Sequence, residues 1–177
     1  MEFPRLHSKH GESLKTTIRH LYGEETTRSI RLLQTLRIKK TKLLVSLIFL
    51  LRCRDHNIIP HFLEFRQHFH TRAADRIYKR TSFALLRERI HNNRRELNHI
   101  SRQLLLLHLR LTNVLSSSHW DLIDQLSFNK ATQIGEHAKC RQLRKFASLQ
   151  NSHQSDNNSI KGTVINLSNQ ELNEGVH

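Results

Sequence analysis

From Phe83 to Val114 the apolar residues fall at alternating spacings of three and four: Phe83, Leu86, Ile90, Leu97, Ile100, Leu104, Leu107, Leu111 and Val114, with Asn93 the one polar member of the series. A period of 3.5 stays on one side of a helix, whereas a half-buried strand alternates with period two. The run holds no Gly or Pro, so propensity agrees with pattern. A second seam, Leu33, Leu36, Leu43, Leu47 and Leu50, has Lys40 in its missing place. It predicts a helix from Glu24 to near Asp55, with Glu24 and Glu25 in the first turn and Arg52 and Arg54 in the last, the polarity a helix dipole favours. Ser116 to Ser118 stop the long seam, and Ser118 with Asp121 has the spacing of a capping box. A third helix is expected there, with Trp120, Ile123, Leu126, Ala131, Ile134 and Ala138 on its apolar face, Gly135 as a weak point and an end towards Leu149.

The intervals between these helices set the boundaries. Residues 1–23 contain Pro4, Gly11 and Gly23 and read as a loose lead-in with one short helix from Glu12 to Leu21. His56 to His70 lacks a helical stripe yet carries Ile58, Ile59, Phe62, Leu63, Phe65 and Phe69, so it should pack across the helices. Thr71 is the expected N-cap of the long helix, and a break near Lys79 to Ser82 is expected because Ala74 and Ile77 are out of register with the later seam. Asn93 reads either as an exposed or capped side chain or as a buried amide that fixes register. The run at 151–162 is polar and reads as a disordered linker, and Thr163 to Leu167 reads as a short strand that opens a further domain cut short at 177. The expected fold is all-α: long antiparallel helices in a hairpin or three-helix arrangement spanning 24–150, followed by the linker and a mobile 163–177 tail.

Charge changes this picture from architecture to partner. The chain carries 29 Lys and Arg against 15 Asp and Glu, a formal net charge of +14, and beyond residue 115 there are only six basic against six acidic residues, so the excess sits in the helical body. Such a field favours a polyanion. Solvation of helix faces is the plainer use of the same charges. Two cysteines, Cys53 and Cys140, are too few for a disulfide framework, and the start does not resemble a secretory signal, so an intracellular, nuclear location is expected. The most apolar run, Leu43 to Leu51, is far short of the roughly 20 residues a membrane span needs.

Candidate chemistry is sparse. Cys53, His56, His61, His68 and His70 lie close together and raise the question of zinc, but their spacing is irregular and the chain has 14 His in all, so neither a metal nor another cofactor is expected. No phosphate-cradling glycine loop or nucleophile motif is present, and Asp121 with Asp124 reads as helix-start acids. The candidate binding residues are Arg72, Arg76, Lys79, Arg80, Arg87, Arg94, Arg95 and Arg102 on the long helix, with Lys139, Arg141, Arg144 and Lys145 on the third. Each can neutralise a phosphate of RNA or DNA, which adds affinity with little sequence readout. The heptads sustained over the seam also fit a helical interaction module that pairs with a copy of itself or with another helix.

The segments FLLRCRDHNIIPHFL at 49–63, LLRERI at 85–90, Trp120-Asp121, RKFASL at 144–149 and TVINLSNQEL at 163–172 follow one another in an order that resembles the region upstream of the reverse transcriptase in Penelope-like retroelements. The resemblance covers about residues 30 to 177. In that family a helical segment with a Cys and a downstream Pro precedes a long helix, and a V-x-N-L-S motif opens the polymerase region; the matching positions here are Cys53, Pro60, Trp120, Val164, Asn166, Leu167 and Ser168. The paired aspartates of the polymerase lie beyond the matched region. The resemblance therefore implies a truncated reading frame without polymerase activity of its own, binding element RNA or target DNA.

Overall fold

The computed structural model describes residues 9–63 and 72–174, with side chains described for 13–63, 76–152 and 154. Four α-helices and one short 3₁₀ turn follow in order: α1 Lys9–Tyr22, α2 Glu24–Asp55, the turn His61–Leu63, α3 Arg72–Val114 and α4 Ser117–Glu174. The described residues are all-α and contain no strand.

The helix α2, about 48 Å long at 1.5 Å per residue, is the element that the others share. Both α3 and α4 pack along it, whereas α3 and α4 scarcely touch each other. Two clusters define the core. In the first, Ile30, Leu33 and Leu36 near the start of α2 meet Ile100, Leu107 and Leu111 near the end of α3 and Trp120 and Ile123 of α4. In the second, Phe49, Leu50 and Cys53 near the end of α2 meet Leu86 and Ile90 of α3 and Phe146 and Leu149 of α4. Thus α2 and α3 run in opposite directions, and α4 runs with α2. The two leucine seams pack against each other within one chain. Asn93 is buried at 8 % exposure. The seam of α3 drifts at its end: Val114 is exposed and Leu115 takes its place in the core, as expected when a 3.5-residue pattern runs along a 3.6-residue helix.

Helix ends are fixed by local chemistry. Gly23 separates α1 from α2 at φ 89°, a left-handed conformation that costs a glycine nothing. At the other end of α2, Asn57 adopts φ 53°, the Ile58 N–H donates to the Cys53 carbonyl at 2.8 Å and the Asn57 N–H to the Arg54 carbonyl at 3.2 Å. This is a Schellman termination, and it turns Ile58 and Pro60 into the core.

Several expectations are corrected. The short helix expected from Glu12 to Leu21 is present and longer, Lys9–Tyr22, and instead of belonging to a loose lead-in it places Ile18 in the first core cluster with Leu14 and Tyr22 packed against it. The long helix is unbroken between Lys79 and Ser82, and Ser82 is fully buried; mismatched apolar positions do not end a helix that has no Pro or Gly to stop it. The expected N-cap Thr71 and the connector residues 64–70 lie outside the described residues. Ser116, not Ser118, caps α4: its Oγ accepts from the His119 N–H at 3.4 Å. Most visibly, α4 continues from Ser117 through Glu174, across both the expected linker at 151–162 and the expected strand at Thr163 to Leu167. Extending an existing helix needs no new nucleus, and with Gly162 the one weak helix former among Gly and Pro, nothing in this stretch forces a stop. Val164, Asn166, Leu167 and Ser168 are therefore helical.

Gly135 has a positive role. A Cβ there would stand 2.5 Å from Thr41 Cγ2, so its absence lets α4 approach α2. Thr41 cannot swing aside freely, because it is β-branched and its hydroxyl donates to the Arg37 carbonyl at 2.9 Å. Gly135→Ala should lower stability by about 1–3 kcal/mol in urea melts despite the better helix propensity of Ala, and the loss should be relieved in the Gly135→Ala/Thr41→Ser double variant. Ser82→Ala should have the opposite sign. The buried Ser82 Oγ lacks a hydrogen-bond partner among the described residues, and removing it should raise stability by about 1 kcal/mol.

Candidate nucleic-acid interface

Eleven of the twelve candidate cations have described side chains, and all eleven are exposed: Arg76, Lys79, Arg80, Arg87, Arg94, Arg95 and Arg102 on α3, and Lys139, Arg141, Arg144 and Lys145 on α4. Arg72 is the first residue of α3, with its backbone alone described. On α3 the spacings of 4, 7 and 7 place Arg76, Arg80, Arg87 and Arg94 in one row, and Arg95 and Arg102, seven apart, stand in the next row outwards from the core. From Arg76 to Arg102 the cations extend over about 39 Å. Lys79 holds the seam position one heptad before Leu86, yet is exposed; among the described residues α3 first buries a side chain at Ser82.

Four acids pair with other cations. Glu96 pairs with Lys39 at 2.9 Å, Asp124 with Arg37, Glu24 with Arg19 at 2.9 Å and Asp55 with Arg54 at 3.4 Å. Among the described residues none of the eleven candidate cations forms an ion pair. The seven of them on α3 therefore direct their charge to solvent.

The structure does not bring all twelve together. On α4, Arg141 and Arg144 continue the row of Lys130 and His137, whereas Lys139 lies on the opposite flank, facing a groove between α3 and α4. Lys145 reaches the connector turn: its Nζ stands 4.9 Å from the Phe62 ring centroid and 5.4 Å from that of Phe49. Arg89 approaches Phe62 from α3 at 5.7 Å. Phe62, half exposed, thus sits between cations of two helices. Sequence reading missed Arg89 and Phe62 because their meeting depends on where the connector crosses α2.

The remaining titratable cluster is structural. The Tyr22 hydroxyl donates to Ser116 Oγ at 3.3 Å, accepts from the Ser116 N–H at 3.2 Å and lies 2.7 Å from His119 Nδ1, tying α1 to the turn between α3 and α4; the side-chain and then the backbone hydrogen bond with Ser116 hold the phenol below its usual range. Among the described residues no three His, Cys, Asp or Glu side chains converge on a point that could hold a metal ion. Of the zinc candidates, Cys53 is fully buried and His56 stacks edge-on against Phe146 at 5.3 Å, while His68 and His70 lie outside the described residues. No helix among the described residues is long and apolar enough to cross a membrane.

The class that the geometry defines is that of an all-α arrangement among the described residues, whose spine helix carries two long flanking helices, one of them lined with arginines that form no ion pair among those residues. Comparison with family models, with curated proteins and with solved structures returns no match.

Burial pushes the Cys53 thiol up from 9.0 to about 11, against a smaller opposing effect of the Lys145 charge. The folded chain then keeps its thiol proton where the unfolded chain has lost it, so stability should be intact below pH 9 and decline as pH rises towards 11. Chemical denaturation at pH 8 and 10.5 checks this, with Cys53→Ala removing that contribution. In the native state at pH 8, iodoacetamide should label the exposed Cys140 and leave Cys53 intact, as read by peptide mass.

Proposed function

We propose that this chain is a non-catalytic nucleic-acid-binding module, intracellular and nuclear, derived from a Penelope-like retroelement, that holds RNA or DNA through the phosphate backbone. The observation that carries the reading is the arginine series of α3: exposed, without acidic partners among the described residues, and repeated at helical spacing over about 39 Å. A row of this kind lies along a phosphate backbone without inserting into it, so it favours affinity over sequence discrimination. The net charge of +14 adds long-range attraction. The order of the sequence motifs at Cys53, Pro60, Trp120 and Val164 to Ser168 supports the retroelement origin, with element RNA or target DNA as the natural ligand.

Titration of labelled single-stranded RNA and duplex DNA across salt concentrations tests the reading. Four phosphate contacts should give a slope of log affinity against log salt of about −3.6 for duplex and about −2.8 for single strands. Changing Arg80, Arg87 and Arg94 to Gln should flatten that slope by roughly one per residue, at similar cost for unrelated sequences. Salt-independent binding, or an unchanged slope in the triple variant, would refute it.

A further inference from the structure

Because α3 and α4 diverge over the middle of α2, they leave an open groove of about 720 Å³ whose floor is α2. Four large apolar side chains of its lining are outward-facing: Leu44 at 42 % and Ile48 at 52 % exposure on the floor, Leu105 at 60 % on the α3 wall and Phe128 at 63 % on the α4 wall. Four such groups converging in one concave strip differ from scattered surface leucines, and phosphate contacts do not account for them.

We propose that this groove binds an amphipathic helix of another protein, with an apolar stripe and acidic flanks, as the fourth helix of the bundle. The shape argues for a helix. Two near-parallel helical walls over a helical floor form the vacancy that a fourth helix fills in a bundle, and the floor from Arg37 to Ile48 is about 16 Å long, three helical turns. An extended segment would leave backbone N–H and C=O groups unpaired against apolar side chains, since the described residues offer no strand edge. Charge argues for acidic flanks. Arg37 is already paired with Asp124, which leaves Lys40 and Lys139 facing the groove against Glu136. Beyond the groove the same side turns more basic: Arg52 joins Lys139 beside Leu143 in an adjoining pocket of about 130 Å³, and the α3 row that gives the groove Ser101 and His108 becomes Arg94, Arg87 and Arg80 at heptad spacing.

Other occupants fit less well. A second copy brings another excess of positive charge to a basic rim. The segment 155–174 belongs to the unbroken α4 and leads onward from its partner helix without a turn that could fold it back.

The test uses the full chain and two synthetic fluorescent peptides of about 18 residues, long enough to form helix. Both have Leu at i, i+3, i+4 and i+7, one with Glu flanks and one with Lys flanks. The Glu peptide should bind by fluorescence anisotropy at least about tenfold more tightly than the Lys peptide. Phe128→Ser and Leu105→Ser, both at exposed positions, should each weaken it about tenfold with thermal unfolding unchanged, and Lys139→Glu should narrow the preference between the peptides. Equal affinity for the two peptides, no binding of either, or binding indifferent to Phe128→Ser overturns the proposal. So does a concentration-dependent dimer in sedimentation that Phe128→Ser dissolves, which assigns the groove to a second copy, or an RNA affinity that falls with Phe128→Ser, which assigns it to nucleic acid.

Discussion

The helix α2 has to satisfy two neighbours at once, and most of the structure follows from that demand. A surface helix normally buries one stripe. Here α2 turns Leu36, Leu43, Leu47 and Leu50 towards one side and Ile30, Thr41 and Phe49 towards another, so that α3 and α4 both derive their packing from it. The leucine seam that is most regular in the sequence belongs to α3, but regularity reflects having a single partner. The spine is less periodic because it serves two.

This division explains where polar and small residues sit. Lys40 interrupts the α2 seam because at that point the helix faces the open groove. Gly135 weakens α4 as an isolated helix and permits its closest approach to α2. The Arg37 guanidinium joins the two helices beside that contact, paired with the Asp124 carboxylate and donating to the Asp124 carbonyl at 3.0 Å. The sparse contact between α3 and α4 then has two outcomes. It leaves the outer side of α3 clear for its arginines, and it leaves the inner sides of both helices with apolar groups that the described residues do not cover.

Basic and apolar surfaces accordingly occupy distinct parts of the molecule. Arg95 and Arg102 point away from the core, while Leu105 and Phe128 line the cleft. Between them, Arg80, Arg87 and Arg94 share a row with the groove-lining Ser101 and His108, so a bound helix and a bound phosphate backbone would share a border. The proposed activities are thus coupled through charge, since an acidic helix in the groove lowers the positive potential along that row.

The sequence by itself determined the helices that bury a continuous stripe. The 3.5-residue period of Phe83 to Leu111, the polarity of the Glu24 to Asp55 segment and the solvent-facing arginines are local properties, set by side-chain spacing along one helix. Tertiary structure decided the rest. Whether the 151–174 stretch is linker, strand or helix turns on an already nucleated α4, which a window of polar residues does not reveal. The meeting of Arg89 and Lys145 at Phe62 depends on the path of the connector. The groove of Leu44, Ile48, Leu105 and Phe128 draws on three helices, and residues that look like ordinary members of separate amphipathic stripes become one surface only when α3 and α4 splay over α2. Periodicity records which side of a helix is apolar; how many neighbours cover that side is a property of the assembled chain.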